Sequence, residues 1–226
     1  MTNIDNIIET TKELIAIPSQ GGIDSPNAIL NYLKNKCRQL GLPTDILMFD
    51  DREVALAIPI INNPAVPVYL LSAVVDTAPV GELASWDSDP FAPTIKDGWL
   101  YGRGAADSKV GAAMFLELVG HIKQNGKNVI IHFDADEHTG KFYGAQALLE
   151  KYPNIAGGVL AYPGNEKLII GSRGFYRAIA HIRGKAEHSG SRMYKGFGKM
   201  HVPSLCLWSP SNAKLSIERV SGMSMC

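Results

Sequence analysis

The chain has 226 residues, of which 46% are hydrophobic and 19% are charged, so it can bury a substantial core, and an intrinsically disordered chain is excluded. Lys and Arg together number 22, as do Asp and Glu, and no stretch forms the basic cluster that a nucleic-acid-binding protein needs. We therefore expect one main domain with a smaller part, which acts on a small molecule and has no nucleic-acid partner.

The first predicted elements are two amphipathic helices. Apolar residues recur at helical spacing through residues 4–15, and this helix is expected to end before Pro18. In the second helix we expect Ser25 as the N-cap, Pro26 at the first helical position and Gly41 as the left-handed C-terminal cap. Both helices are predicted to cover a sheet.

Strands and helices alternate through the middle of the chain. The predicted elements are strands at 68–75 and 129–134, helices at 109–123 and 142–151, and two short strands at 158–162 and 168–170. The first of these strands is apolar on both faces, which is typical of a central strand with helices on each side. This alternation predicts an α/β fold with a mixed, largely parallel sheet and helices on both faces.

A second, smaller domain is expected after residue 174. Residues 175–183 alternate between apolar and polar side chains, as a strand does, and beyond them only residues 215–220 are strand-like. The predicted domains are therefore 1–174, the α/β domain, and 175–226, the smaller one.

Cysteine usage and apolar stretches predict the compartment. The three cysteines, Cys37, Cys206 and Cys226, are far apart and odd in number, which argues against a disulfide framework and a thiolate zinc site. Residues 1–17 lack the basic flank and apolar run of a signal peptide, and no segment is apolar for long enough to cross a bilayer. We expect a cytoplasmic protein without a membrane partner.

Five acidic residues stand in the polar segments that follow predicted strands or loops. They are Asp76, Asp107, Asp134, Asp136 and Glu137. Ligands of α/β sheets bind beyond the carboxyl ends of the strands, so we expect these side chains to converge on one sheet edge. Buried carboxylates are costly unless a cation, water or hydrogen bonds satisfy them, and the group therefore predicts a metal site.

Five motifs lie in a specific order, at residues 76–79, 86–91, 97–109, 136–145 and 184–189. Together they resemble the zinc-dependent amidohydrolases of the acetylornithine deacetylase, succinyl-diaminopimelate desuccinylase, aminoacylase and carboxypeptidase G family, over roughly residues 12–192. Matches of this kind, in order and at the right intervals, are far more specific than any one motif.

The resemblance implies a zinc-binding α/β domain and a small α+β lid, which begins in residues 175–226 and forms a homodimer. It implies that Asp107 bridges two zinc ions and that Glu137 is the general base for the water between them. Asp76 is implied to orient a metal ligand. His188, on the lid, is implied to reach the partner subunit's site and stabilise the tetrahedral oxyanion.

The chain departs from the family at several ligand positions. Val74 stands where the family has a histidine ligand, and Tyr162 stands where it has an acidic ligand. The paired glutamates of the family are Glu137 and His138 here, and imidazole is a good zinc ligand. Asp107 and His138 are thus the predicted metal ligands. We expect zinc, with cobalt or manganese as alternatives, bound weakly or at one of the two sites.

The predicted function is metal-dependent hydrolysis of amide bonds in N-acyl amino acids or small peptides, with Glu137 as general base. The alternative is a catalytically impaired or truncated relative that keeps the fold without the activity. A dinucleotide-binding oxidoreductase is suggested by the glycines of residues 102–104, but Asp107 occupies the third glycine position of that fingerprint. His132, inside a predicted strand, is expected to be a packed core histidine.

Overall fold

The computed structural model describes most of the N-terminal three quarters of the chain. The described residues are 3–61, 63, 66–125, 127–162 and 170, together with the backbone of 178–183 and 214–219. The chain divides into two compact units, residues 1–168 and 169–226. The residues around 174 lie outside the described ones, so the domain boundary predicted there stays a prediction.

The described residues form four α-helices. They are α1 at Ile4–Ile15, α2 at Asn27–Gln39, α3 at Val110–Gln124 and α4 at Tyr143–Lys151. Each lies within two residues of a predicted helix. None of these helices combines the length and apolar character that a membrane span requires.

The ends of α2 test the predicted caps. Gly41 follows the helix with φ of +63°, so the predicted left-handed cap is confirmed. The prediction of Ser25 as N-cap is wrong by one residue. Pro26 takes the N-cap position without a side-chain bond, and the Ser25 hydroxyl accepts a long, 3.4 Å hydrogen bond from Asn27 N.

The described strands form one main sheet and two small ones. The strands are β1 at Asp45–Phe49, β2 at Arg52–Ile60, β3 at Val68–Val74, β4 at Thr94–Lys96, β5 at Trp99–Tyr101, β6 at Val129–Asp134, β7 at Ile155–Ala161, β8 at Ala178–Arg183 and β9 at Lys214–Arg219. In the main sheet the order is β1-β2-β6-β3-β7. Strand β3 pairs parallel with β6 and β7, whereas β2 pairs antiparallel with β1 and β6. The mixed α/β class is confirmed.

The β1–β2 hairpin is the part of the sheet that sequence patterns did not predict. Its turn is built by Asp50 and Asp51, which have φ of +46° and +60°. Hairpin turns with two left-handed residues usually carry Asn-Gly or Asp-Gly, and this Asp-Asp pair lacks the glycine that signals them.

The core has two apolar layers, one on each face of the sheet. Helices α1, α2 and α3 cover one face, where Ile131 and Phe133 of β6 are buried. Helix α4 covers the other face, where Ala147 and Leu148 pack near Ile130 of β6. The central strand β6 is buried along its whole length, because successive side chains enter opposite layers.

The last strand of the main sheet and the strands of the second unit correspond to the remaining predicted strands. Strand β7 overlaps the strand predicted at 158–162, while the strand predicted at 168–170 lies largely outside the described residues. In the second unit, β8 and β9 overlap the strands predicted at 175–183 and 215–220, and they pair antiparallel.

The register of the parallel strands brings the polar segments together. Val74 at the end of β3 pairs with Asp134 at the end of β6, and Ala73 pairs with Ala161 at the end of β7. The residues that follow these three strands therefore leave the sheet at the same edge.

Candidate active site

Asp76 lies just beyond β3 at this edge and is 2% exposed. Its Oδ1 accepts a 3.2 Å hydrogen bond from Glu137 N, and its Oδ2 accepts a 2.8 Å bond from His138 N. One buried carboxylate thus holds the backbone of both residues at the turn that follows β6. The orienting role of Asp76 stays a prediction, and these bonds place its carboxylate against the backbone of His138, a predicted metal ligand.

Two further carboxylates hold the same turn. Asp134 Oδ1 accepts a 2.9 Å hydrogen bond from Asp136 N, and Asp136 Oδ2 accepts a 3.0 Å bond from Tyr143 N at the start of α4. Burial raises the pKa of Asp134 to about 7, and the charges of Asp76, Asp136 and Glu137 add to this, against the bond from Asp136 N. The turn is therefore fixed from several sides.

A glycine of α4 leaves room for one of these carboxylates. A Cβ on Gly144 would lie 2.2 Å from Asp134 Oδ1, so no larger residue fits without a shift of the helix or the acid. Gly21, in the loop after α1, approaches the site as closely: a Cβ there would lie 2.7 Å from His138 Cβ and 2.9 Å from Asp76 Oδ2.

The imidazole of His138 lies between two acids. Its Nδ1 is 3.0 Å from Glu137 Oε2 and 3.5 Å from Asp76 Oδ1, at ion-pair distance but without the geometry of a hydrogen bond. Burial lowers the pKa of His138, but interactions with Asp76 and Glu137 outweigh it and raise the pKa to about 10. In the absence of a metal the ring is therefore held as a cation.

The same three side chains form a candidate metal group. Ligand atoms of Asp76, Glu137 and His138 all lie within 4.8 Å of one another. Two carboxylate oxygens and an imidazole nitrogen suit zinc and similar divalent ions, so the donor set fits the metal that the sequence predicts. A divalent ion would replace the proton of His138 as the positive charge between the two acids.

Asp107 lies close to this group but not within it. Its Oδ2 accepts a 3.5 Å hydrogen bond from the Tyr162 hydroxyl, and its Oδ1 is buried without a hydrogen-bond partner among the described residues. The structure therefore brings His138 together with Asp76 and Glu137 more closely than with Asp107, the other predicted ligand. An orphaned carboxylate oxygen is what a missing cation would leave.

Tyr162 follows β7 and faces the acids of the site. Burial, together with the charges of Glu137, Asp107 and Asp76, raises the pKa of its phenol to about 12. The phenol therefore keeps its proton and acts as a hydrogen-bond donor at neutral pH.

Lys109 is a site-supporting residue that sequence patterns did not single out. It is fully buried, and its Nζ donates 2.8 Å hydrogen bonds to Leu14 O and Ile17 O at the end of α1. Burial lowers its pKa to about 8, while the charges of Asp24 and Asp76 act against this. A lysine at the start of the apolar segment 109–123 was the signal available in the sequence.

The remaining predicted residues lie in the core or outside the described residues. Val74 is 7% exposed and carries no ligand atom. His132 is buried, with Nδ1 3.0 Å from Ser72 Oγ, and burial lowers its pKa to about 4, so the prediction of a packed core histidine is confirmed. His188 lies outside the described residues.

A cleft of about 640 Å³ opens beside the site. Asp76, Asp136 and Thr139 line it together with residues 19–27 and 51–54, but Glu137, His138 and Asp107 do not. The cleft therefore reaches the candidate metal group only through Asp76.

Sequence comparison identifies relatives of the chain. A sequence profile described as peptidase family M20/M25/M40 matches residues 70–209. A succinyl-diaminopimelate desuccinylase of Wolbachia pipientis subsp. Culex pipiens (strain wPip) is 37% identical over 153 residues, which cover 63% of this chain and 36% of the relative. The desuccinylase of Wolbachia sp. subsp. Brugia malayi (strain TRS) is 35% identical over 205 residues, covering 80% and 48%. The chain thus spans less than half the length of these relatives.

Solved structures share the fold. The M20 family metallo-carboxypeptidase Sso-CP2 from Sulfolobus solfataricus superposes with a TM-score of 0.60 at 22% identity, over 70% of this chain and 37% of that chain. A tripeptidase from Staphylococcus aureus superposes with a TM-score of 0.54 at 24% identity, over 71% and 43%. At these identities the likeness establishes the fold.

Proposed function

The chain belongs to peptidase family M20/M25/M40, and we propose that it hydrolyses amide bonds of N-acyl amino acids or small peptides with the help of a divalent metal ion. The observation that carries this proposal is the candidate metal group. Asp76, Glu137 and His138 bring their ligand atoms within 4.8 Å of one another at the carboxyl edge of the parallel strands.

Each residue has a role in the proposed reaction. Glu137 takes the proton of the attacking water and passes it to the leaving nitrogen, as a general base and then a general acid. Its backbone N–H donates a 3.2 Å hydrogen bond to Asp76, which fixes the point of the turn from which the side chain extends. His138 and Asp107 would hold the ion, and His188 would stabilise the oxyanion by family analogy.

The proposed metal ion would contribute chemistry that the side chains alone do not provide. When bound, zinc, or alternatively cobalt or manganese, lowers the pKa of water and polarises the scissile carbonyl. By resemblance to the family, we propose that the protein binds one or two metal ions and forms a homodimer through residues 175–226. We also propose that it is located in the cytoplasm.

The names of the relatives support the proposed class of substrate. The two Wolbachia relatives are named succinyl-diaminopimelate desuccinylases, and two similar structures are named a carboxypeptidase and a tripeptidase. Both groups of names describe cleavage of a bond between an acyl carbon and an amine nitrogen. N-acyl amino acids and short peptides are therefore the first substrates to test.

The test is metal removal and restoration. Protein treated with a chelator is assayed by amine release from N-succinyl and N-acetyl amino acids and from dipeptides, before and after addition of zinc, cobalt or manganese. We expect no turnover without metal and recovery with at least one ion. Absence of turnover with all three ions on every substrate would overturn the proposal.

A second candidate is a relative that keeps the fold without catalysis. It is favoured by Val74, which stands where the family has a histidine ligand and carries no ligand atom. A chain that fails the turnover assay but binds one of these substrates in calorimetry would have this function.

A further inference from the structure

We propose that Tyr162 makes the metal centre mononuclear, because it places a phenol, and no metal ligand, against the Asp107 oxygen that a second ion would need. This inference rests on the proposed metal-dependent function and specifies how many ions that function uses. It depends on three observations: the Tyr162–Asp107 hydrogen bond, the orphaned second oxygen of Asp107 and the number of ligand atoms at the site.

The two oxygens of Asp107 have different surroundings. Oδ2 accepts the hydrogen bond from the Tyr162 hydroxyl at 3.5 Å, whereas Oδ1 is buried without a hydrogen-bond partner among the described residues. A carboxylate that bridges two cations uses both oxygens for metal. Here the phenol proton stands at one oxygen, which leaves the other for a single ion.

The ligand count agrees with one ion. A zinc ion in a protein takes about four ligands, or three and a water when it is catalytic. Among the described residues, His138 and Asp107 are the proposed ligands, and oxygens of Asp76 and Glu137 lie within 4.8 Å of the ligand nitrogen of His138. These donors suffice for one ion, and at position 162, where a second ion would need a ligand, the chain has a phenol.

Tyr162 is suited to replace an ion and not to bind one. A phenol is neutral at pH 7, since its ordinary pKa is about 10, and a neutral phenol donates a hydrogen bond where a carboxylate would bind a cation. The hydroxyl therefore offsets part of the negative charge that a second cation would offset.

The experiment counts metal ions per chain. The full chain, its Tyr162→Glu variant and its Tyr162→Phe variant are dialysed against zinc, and bound zinc is measured by elemental analysis and titration calorimetry. We expect one ion per chain for the unchanged protein and for Tyr162→Phe, which removes the proton without adding a ligand. We expect two for Tyr162→Glu, because the new carboxylate adds a ligand and frees Asp107 Oδ2.

The control is Tyr69→Phe, since Tyr69 is a similarly exposed tyrosine on β3, 51% exposed against 45% for Tyr162. Far-ultraviolet circular dichroism of each variant checks that it folds. Two ions per unchanged chain, or one ion in a folded Tyr162→Glu variant, would overturn the role of Tyr162 and leave the hydrolase proposal standing. No bound ion in the unchanged chain would overturn both.

Discussion

Asp76 contacts His138 in two ways: its Oδ2 accepts a 2.8 Å hydrogen bond from the backbone N–H of His138, and its Oδ1 lies 3.5 Å from Nδ1 of the imidazole. The same carboxylate accepts a bond from Glu137 N. One buried side chain thus sets the position of two residues of the proposed metal group. We therefore expect the candidate site to depend on this carboxylate.

Replacing Asp76 tests this dependence. Asp76→Ala removes the acceptor of two backbone N–H groups, and we expect the free energy of unfolding to fall by about 1–3 kcal/mol. Asp76→Asn keeps one acceptor oxygen, so we expect a smaller fall. Urea denaturation of the metal-free protein measures both, with Asp87→Ala, an exposed acid, as the control. An equal effect of the Asp76 and Asp87 alanine variants would contradict this account.

Glu137→Gln tests the proposed general base. The amide keeps the shape and one ligand oxygen but does not accept a proton, so we expect turnover to fall by about 10²–10⁴-fold while zinc affinity changes far less. Steady-state kinetics and calorimetry measure the two quantities. Glu82→Gln, at an exposed glutamate, is the matched control and should leave both unchanged. Retention of more than a tenth of the turnover by Glu137→Gln would rule out its role as base.

We expect Gly144→Ala and Gly120→Ala to change the free energy of unfolding in opposite directions. Both glycines lie in helices, where alanine is normally preferred by up to about 1 kcal/mol. At Gly120 nothing lies within 4 Å of the added Cβ, so this variant should be more stable. At Gly144 the added Cβ would lie 2.2 Å from Asp134 Oδ1, and we expect a loss of about 1–3 kcal/mol.

Chemical denaturation of the two glycine variants measures both changes in the free energy of unfolding. We expect the Gly144→Ala variant also to bind zinc more weakly, because Asp134 holds the backbone of Asp136 and thereby the metal-binding turn. A stabilised Gly144→Ala variant would show that the contact with Asp134 relaxes at no cost.

We expect the buried side chain of Lys109 to make the stability of the protein depend on pH. Its folded pKa, lowered by burial to about 8, lies below the ordinary value of 10.5, so the unfolded chain binds more protons between these values. Stability contributed by this residue therefore rises with pH through that window and is lowest below pH 8. His138, whose pKa is raised to about 10, contributes stability that is lost over an overlapping range.

The variant Lys109→Met separates the contribution of Lys109 to this pH dependence from that of His138. The difference in free energy of unfolding between the unchanged protein and Lys109→Met should grow in favour of the unchanged protein from pH 7.5 to pH 10, in metal-free buffer. Because His138 is present in both proteins, its contribution cancels in the difference. A difference that stays constant over this range would mean that Lys109 remains protonated in the fold.

Much of the fold is predictable from local patterns. The apolar runs of β3 and β6 and the nearly uncharged segment of α3 indicate buried elements wherever they are placed, because a strand or helix that is apolar all round needs cover on both sides. The spacing of the motifs around Asp76, Asp107 and Glu137 likewise predicts the family without coordinates. The β1–β2 hairpin escaped prediction because Asp50 and Asp51 take left-handed conformations that patterns assign to glycine.

The amino-acid sequence by itself determined the α/β class, the convergence of the acids at one sheet edge and the positions, Val74 and Tyr162, at which the ligand set differs from the family. Only the tertiary structure decided that His138 lies between Asp76 and Glu137, and that Asp107 accepts a hydrogen bond from Tyr162. The physical reason is that contacts between side chains on different strands depend on strand register and on the backbone angles of the connecting turns, and neither is encoded within a single segment.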